Sequence, residues 1–166
     1  MPVVKTKQNV KDATTPPKRA PVAPGTYAAV IQKVEFGLTR MSPPLDKFTC
    51  EYRLLKNLDT EDTAVAGKRV YQDYITEPNA TNEEMNTREA YAIRQLLDAT
   101  SVAYTPQEGG GVEFNTDHLV GKSVKIAVRQ KPGAPKKNAD GTDGVADIYN
   151  RVTRVDAMVV DTSQII

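Results

Sequence analysis

The chain has 166 residues, 39% of them hydrophobic, which supports one compact core but not two. Charged residues make up 26% and the formal net charge is only +1, which excludes a histone-like polycation and an acidic disordered polymer. Any electrostatic partner must therefore meet a local patch. The basic residues are clustered: Lys5, Lys7, Lys11, Lys18 and Arg19 stand against Asp12 alone near the start. Lys122, Lys125, Arg129, Lys131, Lys136, Lys137, Arg151 and Arg154 stand against Asp140, Asp143 and Asp147 near the end. Phosphate binding leaves such a footprint, and so does a solvated strand face with a flexible tail.

Residues 1–24 hold Pro2, Pro16, Pro17, Pro21 and Pro24 among Lys, Thr and Ala, a composition that reads as a flexible basic arm. Pro24-Gly25 punctuates the entry to a first strand, Thr26–Leu38, with Tyr27, Ala29, Ile31, Val34 and Phe36 as its interior face. The apolar spacing changes from odd to even near Val34, which predicts a bulge or sharp bend. A second strand, Lys47–Lys56, alternates cleanly between Phe48, Cys50, Tyr52, Leu54 and Lys47, Thr49, Glu51, Arg53. A third, Lys68–Thr76, sets Val70 and Tyr74 on one side and Tyr71 and Ile75 on the other, so one tyrosine is exposed in either orientation.

A helix follows the break at Pro78–Asn82. Thr81 with Glu84, or Asn86 with Glu89, fits a capping box, and Ala90, Ile93, Leu96 and Leu97 recur at helical spacing up to about Thr100. Residues 101–115, including three consecutive glycines, read as loop. A fourth strand, Ser123–Gln130, puts Val124, Ile126 and Val128 inside, and a fifth spans Asp147–Val155. The connection between them, Lys131–Gly144, is far longer than a hairpin turn needs and carries two Asp-Gly steps.

Three strands, one helix and two strands is the chain order of an OB-fold barrel, in which a single helix plugs one end and the strand face with its long loops binds oligonucleotides or oligosaccharides. The predicted fold is thus mainly β: a five-stranded OB-fold-like barrel at 25–158, with one helix between strands 3 and 4, an extended N-terminal arm at 1–24 and a short tail at 159–166.

Motifs for other chemistry fail on spacing. Gly121-Lys122-Ser123 lacks the first glycine of a phosphate loop, Thr116 standing there, and a β-pattern follows it instead of a helix. The loop from Asn138 to Gly144 lacks the twelfth-position glutamate of a calcium loop, which is Tyr149 here. His118 is the only histidine and Cys50 the only cysteine, so no metal set is expected and no internal disulfide can form. Glu83-Glu84 suits a helix start. No nucleophile, base and orienting group assemble, so neither catalysis nor a cofactor is expected. No apolar stretch is long enough to span a membrane, and no secretory signal is visible.

What remains is a basic strand face with aromatics, the combination that holds single-stranded nucleic acid through phosphate contacts and base stacking. The candidate cations are Lys47 and Arg53 on the second strand, Lys68 and Arg69 on the third, Lys125 and Arg129 on the fourth, Lys131, Lys136 and Lys137 in the long loop and Arg151 on the fifth. The candidate stacking rings are Tyr71, Tyr74 and Tyr149, each of which would serve equally well as a core tyrosine.

Pro24-Gly25-Thr26-Tyr27, Gly67-Lys68-Arg69-Val70, Leu119-Val120-Gly121-Lys122 and Tyr149-Asn150-Arg151-Val152, in that order, resemble the pattern of bacteriophage single-stranded-DNA-binding proteins and related prophage proteins, over roughly Pro24–Ala157. The resemblance implies an OB-fold protein that coats exposed DNA strands during phage replication and recombination in the bacterial cytoplasm. Its partners would be single-stranded DNA, further copies of itself, and replication or recombination proteins. The acidic C-terminal tail of many such proteins is missing: Val159–Ile166 is mostly apolar. The competing readings are a phage virion component, such as a head-decorating or connector protein whose arm laces onto neighbouring subunits, and a carbohydrate- or small-ligand-binding barrel, which the absence of tryptophan disfavours.

Overall fold

The computed structural model describes residues 3–8, 10–11, 21–132, 139, 141 and 148–158. Its main element is a five-stranded antiparallel sheet of β1 (Gly25–Leu38), β2 (Asp46–Asn57), β3 (Arg69–Ile75), β6 (Ser123–Pro132) and β7 (Ile148–Ala157), in spatial order β3-β2-β1-β6-β7. One long helix, α1 (Glu83–Thr100), follows β3. A two-stranded hairpin of β4 (Thr105–Pro106) and β5 (Val112–Glu113) interrupts the stretch expected to be loop; two-residue strands carry no readable alternation.

Strand β1 pairs with β2 along Tyr27–Leu38 but with β6 only along Gly25–Val30. The expected irregularity is present as a register shift between Ile31 and Lys33, and a second shift lies between Ala28 and Ala29. Alternation sends Tyr27, Ala29, Ile31, Phe48, Cys50, Tyr52, Leu54, Val70, Tyr74, Val124, Ile126, Val128, Val152 and Val155 to one side, where they form a single core with Leu96 and Leu97 of α1. Phe36 departs from the expectation. It shares the inner face with Phe48, its cross-strand partner, but β1 has run beyond the core there, leaving the ring 75% exposed.

Edge strands β3 and β7 approach one another without a hydrogen-bonded ladder, and side chains from α1 serve their free backbone groups. Gln95 Oε1 accepts from Val155 N at 3.0 Å, and Glu89 Oε2 accepts from Ile75 N at 3.4 Å. The helix cap differs from both expected pairs: Asn82 Oδ1 accepts from Met85 N at 3.0 Å. A capping-box search passes over Asn82 because methionine, not Glu or Gln, stands three residues on. Asn86 instead exchanges two bonds with the backbone of Asn79, anchoring the first turn to the preceding loop.

The arm boundary is corrected as well. Val22 is 5% exposed, and its peptide is held on both sides: N–H donates to Asn150 Oδ1, while the carbonyl accepts from Asn150 Nδ2 and Gln130 Nε2, all at 3.0 Å. Residues 21–24 thus belong to the folded domain, since Val22 buries its side chain and the amides pair its backbone. Residues 12–20 and the tail 159–166 lie outside the described residues.

Inside the core, the Tyr52 and Tyr74 hydroxyls meet at 2.6 Å. Tyr52→Phe leaves the Tyr74 hydroxyl buried without that partner and is expected to lower unfolding free energy by about 1–3 kcal/mol, whereas the double change to phenylalanine recovers most of the loss. Urea denaturation of the three proteins checks this.

Candidate nucleic-acid interface

The face of the sheet opposite the core carries the predicted cations in cross-strand rows. Arg53 of β2 lies directly opposite Arg69 of β3, and on its other side opposite Val30 of β1, itself opposite Ser123 of β6. At the far end of β6, Arg129 lies directly opposite Arg151 and Lys131 directly opposite Tyr149 of β7. The register therefore places Lys47, Arg53, Arg69, Tyr71, Lys125, Arg129, Lys131, Tyr149 and Arg151 on one face. Lys68 does not join them: it occupies the turn before β3, and neighbouring residues of a strand point to opposite faces. Lys136 and Lys137 lie outside the described residues.

Two opposed arginine pairs are unusual on a sheet surface, because like charges directly across a ladder repel. Two unit charges about 6 Å apart in water repel by roughly 0.7 kcal/mol. An anion lodged between two guanidinium groups turns that repulsion into attraction, and phosphate oxygens fit the guanidinium fork.

Acidic side chains neutralise one end of this face. Lys47 Nζ lies 2.7 Å from Asp73 Oδ2, and Thr49 Oγ1 donates to Asp73 Oδ1 at 2.6 Å. Glu51, inconspicuous in the sequence, is nearly buried in the face: its Oε1 accepts from Tyr71 OH at 2.8 Å and lies 3.5 Å from Arg69 Nη1. The signal for it was the alternation of β2, which puts Glu51 between Thr49 and Arg53 on the outer side. Lys125 faces Asp156 across β6 and β7, and Arg154 pairs with the same carboxylate at 2.8 Å. Among the described residues, the β6–β7 end, with Arg129, Arg151, Lys131 and Tyr149, is the more cationic.

The aromatic candidates divide. Tyr149 is 58% exposed beside Lys131, and Tyr71 is 47% exposed with its hydroxyl fixed by Glu51, so both present ring surface to solvent. Tyr74 is a correction: 2% exposed, stacked on Phe48 with centroids 5.1 Å apart, and hydrogen-bonded to Tyr52, it belongs to the core and cannot receive a base. Its contacts with Phe48 and Tyr52 set the orientation of β3.

A cleft of about 490 Å³ lies between α1 and the β4–β5 hairpin, with Ile75, Ile93, Leu97, Val112 and Phe114 in its wall. Of its polar residues, Asn86, Glu89 and Thr76 are committed to backbone groups and Arg94 is paired with Asp98, while Glu77 also lines it. Among the described residues no three metal-ligating side chains come together, and no helix is long and apolar enough to cross a membrane. His118 stands exposed in the 3-10 turn Thr116–His118. No family model matches the chain, and no curated protein matches it.

Cys50 sits behind the same sheet, fully enclosed, and burial pushes its thiol up to about 12 against a smaller opposing effect of the Tyr52 hydroxyl. The thiolate is the reactive form. Folded protein is therefore expected to leave Cys50 unlabelled by a thiol reagent at pH 8, with full labelling in denaturant; fast labelling of the native chain would show that the core opens readily.

Proposed function

We propose that the outer face of the sheet binds single-stranded DNA without strong sequence preference, as a strand-coating protein of phage DNA replication or recombination in the bacterial cytoplasm. The observation that carries this reading is the pairing of Arg53 with Arg69 and of Arg129 with Arg151 on one face, with exposed Tyr149 beside the second pair. Phosphate relieves the repulsion between Arg129 and Arg151 and adds to the partial neutralisation that Glu51 gives Arg69, and the ring of Tyr149 offers a π-face that any base can use. The spatial order β3-β2-β1-β6-β7, with β3 brought against β7, agrees with the strand order of an OB-fold barrel, and barrels of this kind bind nucleic acid on such a face. Phage replication enters through the resemblance in motif order alone.

Fluorescence anisotropy with a labelled oligo-dT tests the reading. Affinity is expected to fall steeply as salt rises, and Arg129→Ala with Arg151→Ala is expected to reduce the slope of log K against log salt by about 0.7 for each phosphate that is no longer neutralised. Tyr149→Ala is expected to weaken binding by about 1–3 kcal/mol while leaving that slope nearly intact. Tyr71→Phe keeps the ring and separates stacking from the Glu51 hydrogen bond. An absence of binding at low salt, or a salt-independent affinity, overturns the assignment; assembly into rings or shells without nucleic acid would favour a virion component instead.

A further inference from the structure

Beyond Ile31 the β6-facing edge of β1 has no strand beside it among the described residues. Ile31 N donates to Lys122 O and Ile31 O accepts from Gly121 N, and the ladder ends there, whereas β2 continues along the other edge to Leu38. Which backbone groups are left over follows from the hairpin. Thr39 N donates to Leu45 O at 2.9 Å, and Asp46 O accepts from Thr76 N on the opposite side of β2. Bonding alternates along an antiparallel strand, so Lys33, Glu35 and Gly37 bond to β2, and Val34, Phe36 and Leu38 turn their N–H and C=O groups outward. Those three are apolar and share one face, and Phe36 and Leu38 are 75% and 59% exposed. A bare edge with apolar side chains recruits another strand, and sheet proteins ordinarily protect such edges.

We propose that this edge pairs with the same edge of a second copy of the chain, antiparallel, about a two-fold axis at Phe36. In that register Phe36 lies opposite Phe36 of the second copy, and Val34 opposite Leu38, so all three outward-turned residues enter hydrogen-bonded pairs and the apolar side chains meet on one face. On the other face Glu35 meets Gly37 and Lys33 meets Thr39, so no like charges oppose one another, and the Lys33–Glu35 ion pair leaves the flank without net charge to repel a copy. Two alternative registers are less favourable. An axis at Glu35 still pairs Val34 with Phe36 through their outward groups, but it sets two glutamates face to face in a non-hydrogen-bonded pair, where side chains stand closest and like charges repel. An axis at Val34 drives Leu38 of the second copy against Val30, where β6 sits. The isologous contact needs only this one self-complementary patch, the commonest arrangement among oligomers.

Sedimentation equilibrium of the full chain is expected to give twice the monomer mass, and Phe36→Asp, which alters an exposed side chain, is expected to give the monomer mass with an unchanged circular dichroism spectrum. A cross-linking pair reads the register itself. Opposed residues in a hydrogen-bonded antiparallel pair have Cα atoms about 5.5 Å apart, within disulfide reach, so Phe36→Cys is expected to form a covalent dimer on mild oxidation. Leu38→Cys, whose symmetry mate would stand roughly 13 Å away along the strands, is expected not to. Buried Cys50 takes no part in either. A wild-type chain that stays monomeric, a dimer that survives Phe36→Asp, or equal cross-linking at Leu38 and Phe36 overturns the proposal.

Discussion

The architecture depends on β1 serving two ladders. A lone five-stranded sheet can bury its apolar face only by curling, and β1 does this by following β6 for its first half, shifting register between Ile31 and Lys33, and continuing with β2 alone. Bulges increase local twist and bend a strand. The bend brings edge strands β3 and β7 together, and the gap that remains is spanned by α1, whose Gln95 and Glu89 accept from one backbone N–H on each edge. Buried or half-buried peptide groups need partners, and a helix able to offer side-chain acceptors at two points seals a seam that strand pairing leaves open.

The outer face obeys a different rule. There the side chains are held in rows by the ladder whether or not their charges agree, so composition becomes electrostatics through register alone. One end is settled internally, with Asp73 and Glu51 answering Lys47, Arg69 and Tyr71. The other end concentrates arginines that the ladder forces into opposition. A protein of net charge +1 thereby carries a cationic region without being basic overall.

Most of this sheet was legible in the sequence because period-two alternation and strand propensity act over seven to fourteen residues and point the same way. Phe48, Cys50, Tyr52 and Leu54 announce β2, and the odd-to-even change near Val34 announces the bend. The orientation of β3 was open because its two sides are about equally apolar; contact with Phe48 and Tyr52 decided it for Tyr74. What could not be read were interactions between residues distant in sequence. The docking of Val22 depends on amides more than a hundred positions away, and the exposure of Phe36 depends on where β6 stops. Asn82 was missed for a local reason, since one side chain is a sufficient cap without a reciprocal glutamate.

The bond between Val22 N and the Asn150 amide joins residues 128 positions apart. Closing so long a stretch of chain sacrifices entropy before any contact returns it, so topologies rich in such pairings acquire their native form slowly. The β1–β2–β3 meander precedes β6 and β7 in the chain, so its apolar side waits for strands that are synthesised later. Between those moments the nascent protein displays tyrosines and valines destined for the interior, and completion of the core is timed by the arrival of β7.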